Sequence, residues 1–327
     1  MNPSNPKVIY WGIIGLGKIA HKFAEDLLTL DHAQLYAVAS RDLNKANNFK
    51  VNYKAQKAYG NYEDLAKDPA IDAVYIATPH SFHKAHTKLC LNHKKAVLCE
   101  KPFAMNLNEV EEMIECAKAN GTLLMEALWT YFLPHYRYLL NTIQNRTFGL
   151  LQRIEADFGF HPTYDLNSRV FNKSLGGGSL LDIGIYPIFV ALSTLGKPED
   201  IEATATFFEN EVDSSCSMRF YYNKDLKARL NCTFLKETPT EAIFYFDNAI
   251  IQLNSRFHEP TTITIKNDEG EKTLDFNCTT NGYAYEIAHF NQLIRDQKTE
   301  SDLMTFNFSK TLIKTLDQVR ETIGLTY

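Results

Sequence analysis

From Val8 onward, short apolar runs alternate with longer stretches in which apolar residues recur every three or four positions. The runs "VIYWGII", "QLYAVAS", "DAVYIAT", "AVLCE" and "LLMEA" are almost continuously apolar, the pattern of strands buried on both faces. Between them the spacing predicts helices over about 18–30, 43–52, 83–92 and 109–120, the last closed by Gly121. Asp42, Asn61 and Asn108 are the expected caps. Alternating buried strands and helices predict a doubly wound parallel sheet ending near Glu126, so residues 1–126 are read as a dinucleotide-binding domain.

After "WTYFLPH" the pattern changes. A helix beginning near Pro134 leads to "LLQRIEADFGF", then to a loop with three consecutive glycines and a helix over about 181–195. "IEATATFF", "SCSMRFYY", "KARLNCTFL", "EAIFYF", "AIIQL", "TTITI" and "KTLDF" follow, joined by turns such as "NKD" and "NDEG". These predict a large, open, mostly antiparallel sheet. Two helices finish the chain, the second with an apolar stripe of Leu312, Leu316, Val319 and Ile323. Residues 127–327 are therefore read as one α+β domain for substrate binding and dimerisation.

Composition narrows the function. A net charge of −5 gives no field for a polyanion, so nucleic acid is not an expected partner. The polar start "MNPSNPK" predicts no signal peptide, and "IGIYPIFVALSTLG" is too short and interrupted to predict a membrane span. Six dispersed cysteines without a C-x-x-C pair predict reduced thiols and a cytoplasmic protein.

"GLGKIA" (Gly15, Gly17, Lys18, Ile19, Ala20) closes the first strand and opens the first helix. Gly15 permits the tight turn, Gly17 clears space for a pyrophosphate, and Ala20 lets helix and strand approach. The free N–H groups of Lys18, Ile19 and their neighbours then face the phosphates. At the end of the second strand stand Ser40 and Arg41, a hydroxyl and a guanidinium suited to a ribose 2′-phosphate. The rival carboxylate, Asp42, is read as the cap of the next helix, so NADP is expected ahead of NAD.

"GIIGLGKIA", "AVASRD", "YIATPHSFH", "LCEKPFAMN", "EALWTYFLP" and "LGGGSLLDIGIYP" together resemble the glucose-fructose oxidoreductase and inositol dehydrogenase (Gfo/Idh/MocA) family. The similarity is strongest to the branch of dimeric dihydrodiol dehydrogenases and NADP-dependent sugar dehydrogenases, and runs in order from Val8 to Pro187. It implies a Rossmann domain, a C-terminal sheet that pairs with its twofold mate in a homodimer, and hydride transfer involving a small polyol, sugar, dihydrodiol or carbonyl. In that family the E-K-P lysine, here Lys101, lies beside the nicotinamide and contacts the reacting oxygen. The resemblance also implies a cis Lys101–Pro102 bond. Glu100 and Lys101 end a strand where an open α/β sheet binds its ligands. Tyr186 of "DIGIYP" is implied as general acid/base, where many relatives carry histidine. A phenol ionising near ~10 needs a neighbouring cation, and Lys101 is the candidate. Asp182, four residues earlier, either orients Lys101 or the substrate or caps its helix.

Thr78, Pro79, His80 and His83 follow the fourth strand, where they are expected near the nicotinamide ribose. His80, His83 and His86 form an H-x-x-H-x-x-H series, but the resemblance implies no metal, and zinc sites on helices favour other spacings. Trp129, Phe132, Phe160, His161 and Arg169 are candidate pocket residues; related sequences often carry arginine where this chain has Tyr131. Three rivals stay open: an NAD-dependent cyclitol dehydrogenase, a silent NADP sensor, and a carbohydrate-binding module. The intact Lys101 and Tyr186 argue against the second, and "GLGKIA" against the third.

Overall fold

In the computed structural model, which describes residues 6–327, the predicted first-half strands pair in parallel. The polar start "MNPSN" lies outside the described residues. The elements are β1 (Ile9–Ile14), α1 (Lys18–Leu27), β2 (Ala33–Ala39), α2 (Leu43–Tyr53), β3 (Lys57–Tyr59), α3 (Tyr62–Lys67), β4 (Ala73–Ile76), α4 (His83–Asn92), β5 (Ala96–Glu100), α5 (Leu107–Asn120) and β6 (Leu124–Ala127). Their sheet order is β3-β2-β1-β4-β5-β6. The order reverses between β1 and β4, which makes the carboxyl ends of these strands the place for a ligand. The short β3 carries too few residues for a pattern and was not expected. Asp42 and Asn61 cap α2 and α3 as predicted, but Asn106, not Asn108, caps α5 by accepting from Glu109 N.

The chain divides into two units: one runs to Trp129 and takes in Thr279–Lys310, and the other comprises Thr130–Cys278 and Thr311–Tyr327. The expected break after residue 126 is thus a few residues early, and α8 (Tyr283–Arg295) belongs to the first unit. The reason is burial. Trp11, fully enclosed on β1, donates its indole N–H to Asn291 Oδ1 at 3.0 Å and packs on Phe290, 5.3 Å between ring centres. Asp26 of α1 accepts from the amides of Asn281 and Ala284, at 2.9 and 3.0 Å, and so caps the start of α8. No local signal in the sequence points across that distance.

The second unit holds α6 (Pro134–Gln144), β7 (Leu151–Gly159), α7 (Ile185–Leu195), β8 (Asp200–Phe207), β9 (Asp213–Tyr222), β10 (Asp225–Thr233), β11 (Ala242–Phe246), β12 (Ile250–Leu253), β13 (Ile263–Asn267) and β14 (Gly270–Leu274). Its eight strands run in the order β14-β13-β12-β11-β7-β10-β9-β8, antiparallel except for the parallel β7–β10 pair. The last helix, α9 (Phe306–Ile323), starts in the first unit and ends in the second, with Leu312, Leu316 and Val319 buried. The apolar helical stretch Lys173–Leu195 is 94% buried over its most apolar window and forms the core of this unit.

Residues alternate between the two faces of this sheet. Met218, Phe220, Leu230 and Cys232 are buried on one face, whereas their neighbours Ser217, Arg219, Arg229 and Asn231 are polar. The open face therefore carries polar residues along these two strands, while Phe207 on β8 and Ile250 on β12 stay exposed. It carries a charged cross-strand row, Glu202 opposite Arg219, Arg219 opposite Arg229, and Arg229 opposite Glu155.

Candidate active site

The glycine turn is built as its residues demand. Gly15 has φ of +88°, and a β-carbon there would lie 2.7 Å from the Ala77 carbonyl, so only glycine fits. At Gly17, by contrast, a β-carbon would meet nothing within 4 Å. The space above Gly17 is open, and no side chain caps the first amides of α1. Lys18 and Ile19 are exposed beside it, and Ala20 is buried against the sheet. Uncapped helix amides under a cleared glycine fit the pyrophosphate of a dinucleotide.

At the end of β2 the buried Ser40 accepts from Asp42 N at 3.1 Å. Asp42 itself accepts from Asn44 N and Lys45 N at 2.9 and 3.3 Å, so its carboxylate serves α2. Arg41 stays exposed, with its charge beside Tyr62 and His86. Burial, reinforced by the Arg41 charge, pushes His86 down to about 4 and keeps it neutral at physiological pH.

The three histidines turn to different partners. His86 Nδ1 lies 3.0 Å from Thr78 Oγ1, and His83 is fully buried with Nδ1 and Nε2 at 2.9 and 2.8 Å from the Pro102 and Thr78 carbonyls. His83 thus faces into the domain, not toward a ribose. His80 is buried in the turn after Pro79, its ring centre 5.8 Å from that of His83.

Glu100 also turns inward. One carboxylate oxygen accepts from Tyr75 Oη and the other from Lys101 N at 3.2 Å. Lys101 is half-buried just beyond β5, and the Lys101–Pro102 bond is cis. Beneath it, Phe103 N donates to Glu126 Oε1 at 3.1 Å. Burial pushes the Glu126 carboxyl up to about 7, the Glu100 charge adding to this while the Ser309 hydroxyl, the Phe103 amide and the Lys101 charge oppose it. Trp129 is buried in the first unit, stacked on Tyr283 at 4.3 Å.

In the second unit, Leu180–Gly184 form a π-turn that runs into α7. Such turns insert a residue into a helix and are frequent at functional sites. Asp213 pins this one: its Oδ2 accepts from Ser179 Oγ and Leu180 N, both at 2.7 Å. Gly178, at φ of +122°, allows the approach, since a β-carbon there would lie 2.0 Å from Asp213 Oδ1. Asp182 is therefore not the cap. It sits inside the turn and accepts from Arg169 Nη2 at 2.9 Å, an ion pair between two predicted residues.

Tyr186 is buried in an aromatic group with His258 and Phe158, their ring centres 4.8 and 5.7 Å from its own. Arg256 brings a positive charge that couples to Tyr186, and Glu259 holds that guanidinium through bonds of 2.9 and 2.6 Å. Neither Arg256 nor His258 was singled out from the sequence, because "NSRFHEP" carries no motif and lies seventy residues beyond Tyr186. Phe160 packs edge-on against Phe234 at 5.1 Å, Phe132 is buried, and His161 is exposed.

Residues 9–128 match a family model described as an oxidoreductase family with an NAD-binding Rossmann fold, and residues 136–252 match the GFO/IDH/MocA C-terminal domain. Trans-1,2-dihydrobenzene-1,2-diol dehydrogenase of Xenopus tropicalis is 37% identical over 97% of this chain and 98% of its own. The protein of that name in Homo sapiens is 35% identical over 97% of each. The fold is shared with KijD10, a 3-ketoreductase from Actinomadura kijaniata solved with NADP and TDP-benzene (TM-score 0.86, 23% identity, 96% and 98% covered). It is shared too with aldose-aldose oxidoreductase from Caulobacter crescentus (TM-score 0.88, 19% identity, 97% of each covered). With both halves matched in order and relatives above one-third identity along nearly the whole length, the chain belongs to the Gfo/Idh/MocA family of NAD(P)-binding oxidoreductases.

Proposed function

We propose that this oxidoreductase prefers NADP and acts on a secondary hydroxyl, or the matching carbonyl, of a small polyhydroxylated ring such as a trans-dihydrodiol or a sugar. The observation that carries the cofactor choice is Asp42. Its carboxylate is taken up by the α2 amides, which leaves Ser40 and the exposed Arg41 to meet a ribose phosphate. Gly15, Gly17 and the first amides of α1 would hold the pyrophosphate. When bound, the cofactor gives or takes the hydride. Lys101 steadies the reacting oxygen. Tyr186 takes the hydroxyl proton in oxidation and returns it in reduction, and the Arg256 charge favours its anionic form. Arg169 fixes Asp182 to orient a substrate hydroxyl.

The aromatic set of Phe158, Tyr186 and His258 favours a flat ring, which agrees with the dihydrodiol in the name of the curated relatives. We further propose a cytoplasmic homodimer that pairs the open sheet faces. A twofold axis passing between Glu202 and Arg219 would set each residue of that pair against the oppositely charged one of a second copy. Light scattering at micromolar concentration should give twice the 37.4 kDa chain mass; a monomer removes the dimer.

Arg41→Ala tests the cofactor choice. NADP kcat/KM should fall about ten- to a hundredfold, the worth of one charge-assisted phosphate contact, with NAD kcat/KM little changed. Wild-type protein that prefers NAD overturns it. A screen of dihydrodiols, aldoses, cyclitols and dicarbonyls, read by reduced-cofactor absorbance, tests the substrate class.

A further inference from the structure

The peptide unit between Pro102 and Phe103 comes directly after Lys101, and two ionisable side chains grip it from opposite ends. Its carbonyl accepts from His83 Nδ1 at 2.9 Å, and its N–H donates to Glu126 Oε1 at 3.1 Å. The far side of the His83 ring lies 2.8 Å from the Thr78 carbonyl, on the loop that follows β4. Both partners of this ring are main-chain carbonyl oxygens, which can only accept. A neutral imidazole has one N–H to offer. In that state one ring nitrogen would turn its lone pair toward a carbonyl oxygen at hydrogen-bond distance, within an interior where His83 has 0% exposure. Turning the ring over brings carbons to these places and loses both bonds. Two protons satisfy both carbonyls at once. The ionisable groups around this peptide include His80 from the turn before α4, His86 on α4, the Cys99 thiol, which burial keeps protonated, Glu100 and Lys101 at the end of β5, Glu109 from α5, which accepts from Met105 N at 3.2 Å, and Glu126 from β6. Three of these are carboxylates, which when ionised offset the cost of a buried cation.

We propose that His83 is held with protons on both ring nitrogens and that His83 and Glu126 are a pair of positioning residues for Lys101. The doubly protonated ring ties the β4 loop to the β5 loop. Glu126 holds the other end of the same peptide plane, so the plane cannot rotate, and the direction in which Lys101 leaves the strand is set. The functional part of this inference rests on the reading that Lys101 serves the reaction; the protonation of His83 does not.

Nitrogen-15 NMR of histidine-labelled wild-type protein at pH 7, assigned with His83→Asn, should show both His83 nitrogens protonated. One bare nitrogen overturns the charge assignment. In His83→Asn and Glu126→Ala, kcat should fall about 10- to 100-fold, as for a reacting group displaced by a fraction of an ångström. NADPH affinity, read by fluorescence titration, should stay within about threefold, because neither side chain is placed against the cofactor. Glu126→Gln keeps an oxygen that accepts from Phe103 N and should stand at least about tenfold above Glu126→Ala in kcat. Unchanged kcat in His83→Asn, or equal losses in Glu126→Gln and Glu126→Ala, overturns the positioning role. Lys101→Ala with normal turnover would instead sink the reading of Lys101 and leave the NMR result standing.

Discussion

The glycine turn and the π-turn make an instructive pair. Between β1 and α1 the backbone is shaped by residues within the turn and by one neighbouring strand: Gly15 for its positive φ, Gly17 for its empty space, Ala20 for its contact with the sheet. Between the glycine loop and α7 the shape is imposed from afar. Asp213 pins Ser179 and Leu180, Arg169 holds Asp182, and Arg256 with His258 surrounds Tyr186. The first site is local chemistry on a regular frame. The second is a buried polar network, in which each member depends on partners brought in by other strands.

The sharpest way to break this contrast is to separate binding from chemistry. Tyr186→Phe keeps the ring and its aromatic contacts but loses the ionisable oxygen, so turnover should fall by about 10² to 10⁴ with NADP affinity retained. Near-normal turnover would remove the tyrosine from the mechanism. The next effect is on stability. Asp213→Ala leaves the Ser179 hydroxyl and the Leu180 amide without their buried acceptor, and thermal unfolding should show a loss of about 2 to 4 kcal/mol. If the stability loss is below 1 kcal/mol, the π-turn is not held from β9 as argued.

The smallest effect is a slope. Burial raises Glu126 to about 7 and Asp213 to about 6, so these acids favour the folded state most below about pH 4, and that advantage is lost as pH rises through 6 and 7. His86 and His135 are depressed to about 4 by burial, so theirs is present above about pH 6.5 and lost as pH falls through 4. The first unit also buries Glu286, whose carboxyl burial pushes well above its ordinary value with the Glu100 and Asp26 charges adding to this, so its raised acids outnumber its depressed histidine. Wild-type stability should therefore fall as pH rises from about 4 to 7, and Glu126→Gln should gain about 1 to 3 kcal/mol relative to wild type across that range. A difference independent of pH would place Glu126 outside the buried carboxyls that titrate there.

These contrasts also explain what could be read in advance. The parallel sheet, the dinucleotide turn and the Asp42 cap were legible because each depends on neighbours in sequence. Lys101, Asp182 and Tyr186 were found through resemblance and not through physics. Arg256, His258 and Asp213 were missed because nothing near them in sequence marks a strand end or loop that faces another element's buried polar atoms. The alternation of "KARLNCTFL" is itself local: it sends Leu230 and Cys232 inward and Arg229 and Asn231 outward.

The return of Thr279–Lys310 to the nucleotide-binding unit bears on how the protein is made. During synthesis Trp11 waits for a partner 280 residues away, and Asp26 for amides 255 and 258 residues away. Until residues 281–291 leave the ribosome, α1 and β1 expose a tryptophan surface and a carboxylate meant to be sealed by α8. Contacts of such long sequence separation form late. Residues 1–126 are thus no self-contained module that evolution or an engineer could cut at residue 126 and graft elsewhere; a segment more than 250 residues downstream decides when β1 and α1 are finished.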